Sequence, residues 1–296
     1  MPNPPDRGHI ATEQIHEGTH NLDVLSTLEC VALLSKDHEQ AIRAVQDVSN
    51  EIATFVDALT PRISGGGRLI YFGCGTSGRL GVLDAAECPP TFHSPSELVI
   101  GLIAGGDVSL RTSSEAKEDD PNGIAPEFDR ICLSSKDTVL GIAAGGTTPW
   151  VLGGLEIAAA RGAMTGFLTC SAVSPKVEHL INLQTGAEPL TGSTRLKAGT
   201  ATKLTLNIIT TSLFKNLGKI YGNLMVDLKA SNSKLLDRAI RIVSTICEID
   251  RTTARDLLTA SGGDVKVAIV MHKNKIDIAS AKQKLSEVGG NLRSAL

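Results

Sequence analysis

The stretch Arg68–Gly81, RLIYFGCGTSGRLG, passes from the apolar run Leu69 to Phe72 directly into glycine, threonine and serine. A short apolar run closed by a glycine turn reads as a buried strand feeding a helix. The start of such a helix attracts anions, because its first N–H groups lack intrahelical acceptors and its dipole is positive there. Gly73, Gly75 and Gly78 also fit the G-x-G-x-x-G spacing of a dinucleotide-binding turn. What the anion belongs to has to be read from the rest of the chain.

Apolar runs near 69–72, 98–103, 139–142, 166–169 and 180–183 predict five strands, with helices near 77–87 and 148–161 between them. That alternation predicts a parallel sheet wrapped by helices, an α/β fold. Upstream, Ile42, Val45, Val48, Ile52, Phe55 and Leu59 recur every three or four residues and predict one helix over 37–59, closed by Pro61 and the glycines that follow. Downstream, a long helix reaching about Leu217 precedes LKASNSKLLDRAIRIVSTICEI, which reads as helical, and then three or four short helices. The expected organisation is a leader with helices over 1–60, a main domain over 61–220 and a helical region over 221–296.

Composition narrows the function classes. With 296 residues, 42% of them hydrophobic, the chain can build a sizeable core, while 3% aromatic residues and a net charge of -3 exclude the basic, ring-rich surface of a nucleic-acid binder. Cys30, Cys74, Cys88, Cys132, Cys170 and Cys247 are never spaced C-x-x-C, which argues against zinc or a disulfide framework and for a reducing cytoplasm. No apolar run approaches the roughly 18 residues of a membrane span, and the N-terminus lacks the apolar centre of a signal peptide. His9, His16 and His20 read as solvated leader residues. Neither a metal nor a cofactor is called for.

A dinucleotide site needs an acidic residue about 20 residues beyond the fingerprint, at the end of the second strand. That distance lands on CPPTFHSPSEL, before the second strand begins, and Pro89 and Pro90 are expected to stop the first helix early. The glycine turn also recurs: GIAAGGTTPW places Thr147 and Thr148 between a strand and a helix, with Pro149 just inside the latter. A third hydroxyl-rich turn, TGSTRLKAGTATK, brings Ser193, Thr194, Arg195 and Lys197 to the start of another helix. Each turn alone could merely cap its helix. Three together along one sheet edge suit a compact phosphate, such as that of a sugar, seated on Gly75, Thr76, Ser77, Gly78, Thr147, Thr148, Ser193, Thr194 and Lys197.

GGGRLIYFGCGTSGRLGVLDAAECPPTF, GLIAGG, GIAAGGTTPWVLGGLE, TGSTRLKAGTATKLTLN and GKIYGNLMVDLKASNSKL, in this order, resemble the N-acetylmuramic acid 6-phosphate etherases, which are related to the glucokinase regulatory protein. The resemblance runs from about Thr12 to the C-terminus. It implies a flavodoxin-like three-layer sugar isomerase domain and a bacterial cytoplasmic homodimer with each site near the subunit interface. It also implies an activity in cell-wall recycling: removal of D-lactate from N-acetylmuramic acid 6-phosphate to give N-acetylglucosamine 6-phosphate. Ring opening makes the C3 ether cleavable, since the C1 aldehyde acidifies the C2 proton and the resulting enolate expels the C3 oxygen.

By resemblance, Glu87 is the acid at the lactate oxygen and Glu118 works at C2 or on water. Glu118 lies in a charge run with Glu115, Lys117, Asp119 and Asp120, and such runs also occur as solvated loops. Glu188 is a reserve candidate; Cys88 and His93 flank Glu87 without an evident role. The chain departs from the common family pattern in having Gly145 where a serine is usual and Thr147 where an arginine is usual. Two rival readings need the same turns: a non-catalytic sugar-phosphate sensor, which has no use for an acid–base pair, and an aldose–ketose isomerase, which needs no acid at a C3 ether oxygen.

Overall fold

The computed structural model describes residues 6–114, 117–228 and 232–296; Glu115 lies outside them. The described chain divides into two compact units, one formed by the residues up to Ala86 with Glu97–Thr210, the other by Glu87–Ser96 with Thr211–Leu296.

The first unit opens with 3-10 turns at Ala11–Glu13, Glu17–Thr19 and Leu22–Val24, then α1 (Thr27–Asp37), α2 (Glu39–Asp47) and α3 (Ser49–Ser64). The single helix expected over 37–59 is therefore two. Val48, at φ -110° and ψ 25°, breaks the helical path. Val45 and Ile52 on either side of it are both buried, so the apolar spacing crosses the break without registering it. Pro61 does not end α3 but lies in its last turn, and the chain leaves the helix at Gly66, whose φ of +85° only glycine adopts cheaply.

The sheet follows the expected alternation. β1 (Leu69–Gly73), β2 (Val99–Ile103), β3 (Thr138–Ile142), β4 (Met164–Thr169) and β5 (His179–Asn182) form one five-stranded sheet in the order β2-β1-β3-β4-β5, every pair parallel. β1 and β3 lie side by side in register from Leu69↔Thr138 to Gly73↔Ile142. The chain leaves β1 for β2 on one side and returns to β3 on the other, so a crevice opens beyond the carboxyl ends of β1 and β3. All residues of β1, β3 and β4 are buried, as expected of parallel strands covered on both faces.

The connecting helices are α4 (Gly75–Phe92), the short α5 (Val108–Arg111) and α6 (Ala125–Arg130), α7 (Pro149–Ala160) and α8 (Lys197–Asn216). Pro89 and Pro90 do not stop α4 early; they occupy its last turn, where His93 N–H still reaches the Pro89 carbonyl at 3.0 Å. A proline removes its own donor but leaves its carbonyl, so a terminal turn tolerates it better than an interior one. β1 and α4 meet through glycines: a Cβ on Gly78 would lie 2.4 Å from the Gly73 carbonyl oxygen and 2.7 Å from Ile103 Cγ1. On the packing side, Asp84 on α4 accepts from Asn207 Nδ2 at 2.6 Å and Thr210 Oγ1 at 3.3 Å on α8. Burial raises the pKa of this carboxyl, against the opposing pull of its Asn207, Thr210 and Tyr71 hydrogen bonds.

The second unit carries α9 (Ser233–Cys247), α10 (Arg251–Ala260), α11 (Val265–Asn274), α12 (Ile278–Glu287) and α13 (Leu292–Ala295). Asn232, Asp250, Asp264, Asp277 and Asn291 open them in turn, each accepting a backbone N–H of the first turn. Val265, Val267, Ala268, Ile269 and Val270 are all buried, making α11 the helix around which the others pack. No described helix is long and apolar enough to cross a membrane.

The amino ends of β1 and β3 are pinned by Asp137. Its side chain, 3% exposed, receives Arg68 Nε at 2.9 Å and Nη2 at 2.8 Å, together with Ser134 N–H at 2.9 Å. Burial alone would raise this carboxyl's pKa, but the Arg68 and Ser134 bonds outweigh it and hold the value below its ordinary 3.8. A depressed native pKa contributes stability that is present above 3.8 and lost as pH falls through the native value. We expect Asp137→Asn to lower unfolding stability by about 2 kcal/mol at pH 7. Chemical denaturation in acid should show the gap between variant and native chain narrowing only below pH 3.8.

Candidate active site

Beyond the carboxyl ends of β1 and β3 the first unit holds a cavity of about 590 Å³, a volume suited to a small metabolite. Its floor comes from the two strand ends, Cys74 after β1, and Ile142 at the end of β3 with Ala143 to Gly145 after it. Gly75, Thr76 and Ser77, the first turn of α4, stand on one side; Thr148 and Pro149, at the start of α7, stand on the other. A helix's first turn leaves its N–H groups without intrahelical acceptors, and Pro149 brings none, so both helix starts present positive dipole ends to the same space. Gly192 and Thr194, from the third turn, complete the neutral wall.

The structure thus assembles Gly75, Thr76, Ser77, Thr148, Thr194 and Glu118 around one cavity. Gly78, Thr147, Ser193 and Lys197 are not among its lining residues. Gly78 is occupied instead by the close approach of helix to strand described above. Lys197 is 3% exposed, and its Nζ lies 3.1 Å from Asp37, which also meets His16 Nε2 at 3.0 Å. This triad, with Lys197 buried and Asp37 and His16 partly so, holds α1 to the start of α8 and gives His16 a protein partner where the sequence suggested a solvated leader residue. Glu188, fully buried, accepts the N–H groups of Lys197 and Ala198, both at 2.9 Å, and so caps α8. Its two oxygens are committed to the backbone, which explains a carboxylate beside a phosphate-type turn without giving it a part in the chemistry.

Glu118 is half-buried, and its position is set by backbone. The Trp150 N–H at the start of α7 donates to the Glu118 carbonyl at 3.0 Å. The next residues turn sharply: Asp120 Oδ1 accepts Asn122 N–H at 2.9 Å, and the chain lies directly on α7 at Gly153, where a Cβ would stand 2.0 Å from the Pro121 carbonyl oxygen. Asp119, exposed, lines the cavity beside Glu118. Burial pushes the Cys74 thiol up to about 12, with further help from the charges of Glu118 and Asp119, so it is not a nucleophile near neutral pH. Glu87 is exposed on α4 and belongs to the second unit, whereas the cavity is built of first-unit residues alone.

Sequence reasoning missed four polar lining residues: Arg7, Arg79, Ser113 and Asp119. Arg79 had a local signal, lying one helical turn after Gly75, and its Nε donates to the Leu110 carbonyl at 3.2 Å. Arg7 had none, since it reaches the cavity from a segment with no periodicity. Gly145 lines the cavity with room to spare: a Cβ there would lie 3.9 Å from its nearest neighbour, Thr12 Oγ1. Packing therefore does not require glycine at 145, and the hydroxyl missing from this turn reflects no steric demand.

Residues 51–159 match the glucokinase regulatory protein N-terminal SIS domain, and residues 222–284 match the C-terminal lid domain of the same protein. An N-acetylmuramic acid 6-phosphate etherase of Trichodesmium erythraeum is 48% identical over all of this chain and 97% of its own length. One of Thermosynechococcus vestitus is 50% identical over 90% of this chain and 88% of its own. Among solved structures, a phosphoheptose isomerase from Neisseria gonorrhoeae aligns with 64% of this chain and 100% of its own, at 14% identity and a TM-score of 0.48.

Two outcomes check this geometry. Alkylation at pH 8 followed by mass spectrometry should label exposed Cys132 readily and leave Cys74 and the buried Cys170, its thiol also pushed up to about 12, unmodified until the chain is unfolded. Gly153→Ala should cost about 1–3 kcal/mol of stability. Because it forces Pro121 off α7, it should also speed hydrogen exchange at the Trp150 amide, which the Glu118 carbonyl now protects.

Proposed function

The chain belongs to the N-acetylmuramic acid 6-phosphate etherase family, whose carbon–oxygen lyase activity it carries, and we propose how its own residues perform that reaction. The phosphate seats on the free N–H groups of Gly75, Thr76 and Ser77, helped by the Thr148 and Thr194 hydroxyls. These donors are neutral and already oriented, so binding needs little reorganisation. The sugar then extends toward Glu118.

In the ring-opened sugar the Glu118 carboxylate takes the C2 proton. The electron pair left on C2 delocalises into the C1 aldehyde and returns to expel the C3 oxygen. Glu87, as the acid, protonates that oxygen, and D-lactate leaves. Water then adds at C3 of the unsaturated aldehyde with the proton transfers reversed, giving N-acetylglucosamine 6-phosphate. Each transfer by a positioned group is worth about 10²–10⁴ in rate. The observation that carries this reading is the half-buried Glu118, fixed by its own carbonyl on α7, in a cavity whose opposite wall is the open first turn of α4.

We further propose a cytoplasmic homodimer with each site near the subunit interface; the exposure of Glu87 leaves that carboxyl available to such a shared site. Of the two rivals, the sensor reading leaves Glu118 in the cavity without a task, and the isomerase reading leaves the full-length likeness to etherases without a reason.

Incubation with N-acetylmuramic acid 6-phosphate in ¹⁸O-labelled water should place the label at the C3 hydroxyl of the sugar and leave the lactate unlabelled. Glu118→Gln and Glu87→Gln should each fold normally and release lactate at least about 10²-fold more slowly. Undiminished release from either variant removes that glutamate from the mechanism, and label in the lactate rules out elimination.

A further inference from the structure

We propose that Arg7 is the specificity-determining residue that receives the lactyl carboxylate of the substrate. The proposal rests on the etherase reading above, because it concerns the second of the two anions that N-acetylmuramic acid 6-phosphate carries.

Arg7 is held at the cavity by the backbone that follows it. The Ile10 N–H donates to the Arg7 carbonyl at 2.9 Å, Ile10 is 5% exposed and Thr12 is fully buried. The Thr12 carbonyl in turn accepts the N–H of Gly192, itself a lining residue, at 3.2 Å. The N-terminal segment is thus part of the rim, stitched to the third turn, and its arginine lines the same space as Glu118.

The charges around the cavity define the task. Arg7 and Arg79 are its only cationic lining residues among those described, and Arg79 already donates its Nε to the Leu110 carbonyl. Lys197, the cation the third turn offered, is spent on Asp37. The second turn carries Thr147 and no cation of its own. The Arg7 guanidinium makes no hydrogen bond or ion pair among the described residues, so its donors are free.

A phosphate is satisfied by neutral N–H groups at helix starts. A carboxylate brought in beside Glu118 and Asp119 needs a charge to offset two like charges, and the planar fork of an arginine matches it with paired hydrogen bonds. Arg7 would therefore select sugar phosphates bearing the lactyl group and lose its hold once lactate has left.

The test compares substrate with product, which lacks only that carboxylate arm. In Arg7→Ala the KM for N-acetylmuramic acid 6-phosphate should rise about 10–100-fold with kcat within about threefold, the mark of lost binding common to ground and transition states. The Ki of N-acetylglucosamine 6-phosphate as a competitive inhibitor should stay within about twofold, and Arg7→Lys should recover part of the loss. Equal rises in KM and Ki would assign Arg7 to the phosphate and overturn the proposal, as would an unchanged KM. Lactate release by the native chain separates the two possible failures: its absence overturns the etherase reading, whereas native activity with an unaltered Arg7→Ala profile overturns only the role of Arg7.

Discussion

The hydrogen bond from Trp150 N–H to the Glu118 carbonyl ties the segment that carries Glu118 to the start of α7 at the cavity. Pro149 has no N–H, so Trp150 supplies the first donor that α7 can offer, and that donor goes to a neighbouring segment and not to a ligand. A charged, otherwise irregular stretch is thereby placed at the carboxyl end of β3, beside the start of α4. Glu118 inherits its position from main chain, which is the more rigid way to place the carboxylate that we propose as a proton-transfer group. Gly153 is the complement of this bond, because only a residue without a Cβ lets the Pro121 carbonyl lie on the helix.

This constraint shows why the fold was legible in the sequence and the site only partly so. Strands and crossovers leave local marks: apolar runs of four or five residues, glycine turns, helical spacing. All five strands lie where those runs are, and the neighbouring turns after β1 and β3 do face one crevice. The break at Val48 and the helical Pro61, Pro89 and Pro90 escaped notice because each depends on one residue's backbone or on its distance from a helix end, to which periodicity is blind.

Site residues divide along the same line. Those belonging to a strand–turn–helix unit, such as Gly75 to Ser77 and Thr148, line the cavity as the turns predict, because the unit brings its own donors with it. Gly78, Lys197 and Glu188 are near the site in sequence, yet the fold commits each elsewhere: Gly78 to the Gly73 carbonyl and Ile103, Lys197 to Asp37, and Glu188 to the backbone of α8. Arg7 went unseen for the converse reason, since what places it is a long-range bond between Thr12 and Gly192.

These assignments also explain how a cavity meant for anions tolerates acidic side chains. In the proposed seating, the attraction for phosphate comes from helix starts, whose unpaired N–H groups supply partial positive charge without a charged side chain. Charged groups near the third turn are satisfied inside the protein: Lys197 pairs with Asp37, and Glu188 accepts N–H groups of α8. What remains facing the cavity is Glu118 and Asp119 against Arg7 and Arg79. Two cations thus share one lining with two carboxylates, and the proposed placing of a second anion beside Glu118 rests on that balance of charge. In that proposal, a lining without Arg7 leaves the lactyl carboxylate beside Glu118 and Asp119 with only Arg79, already engaged by the Leu110 carbonyl, to offset them.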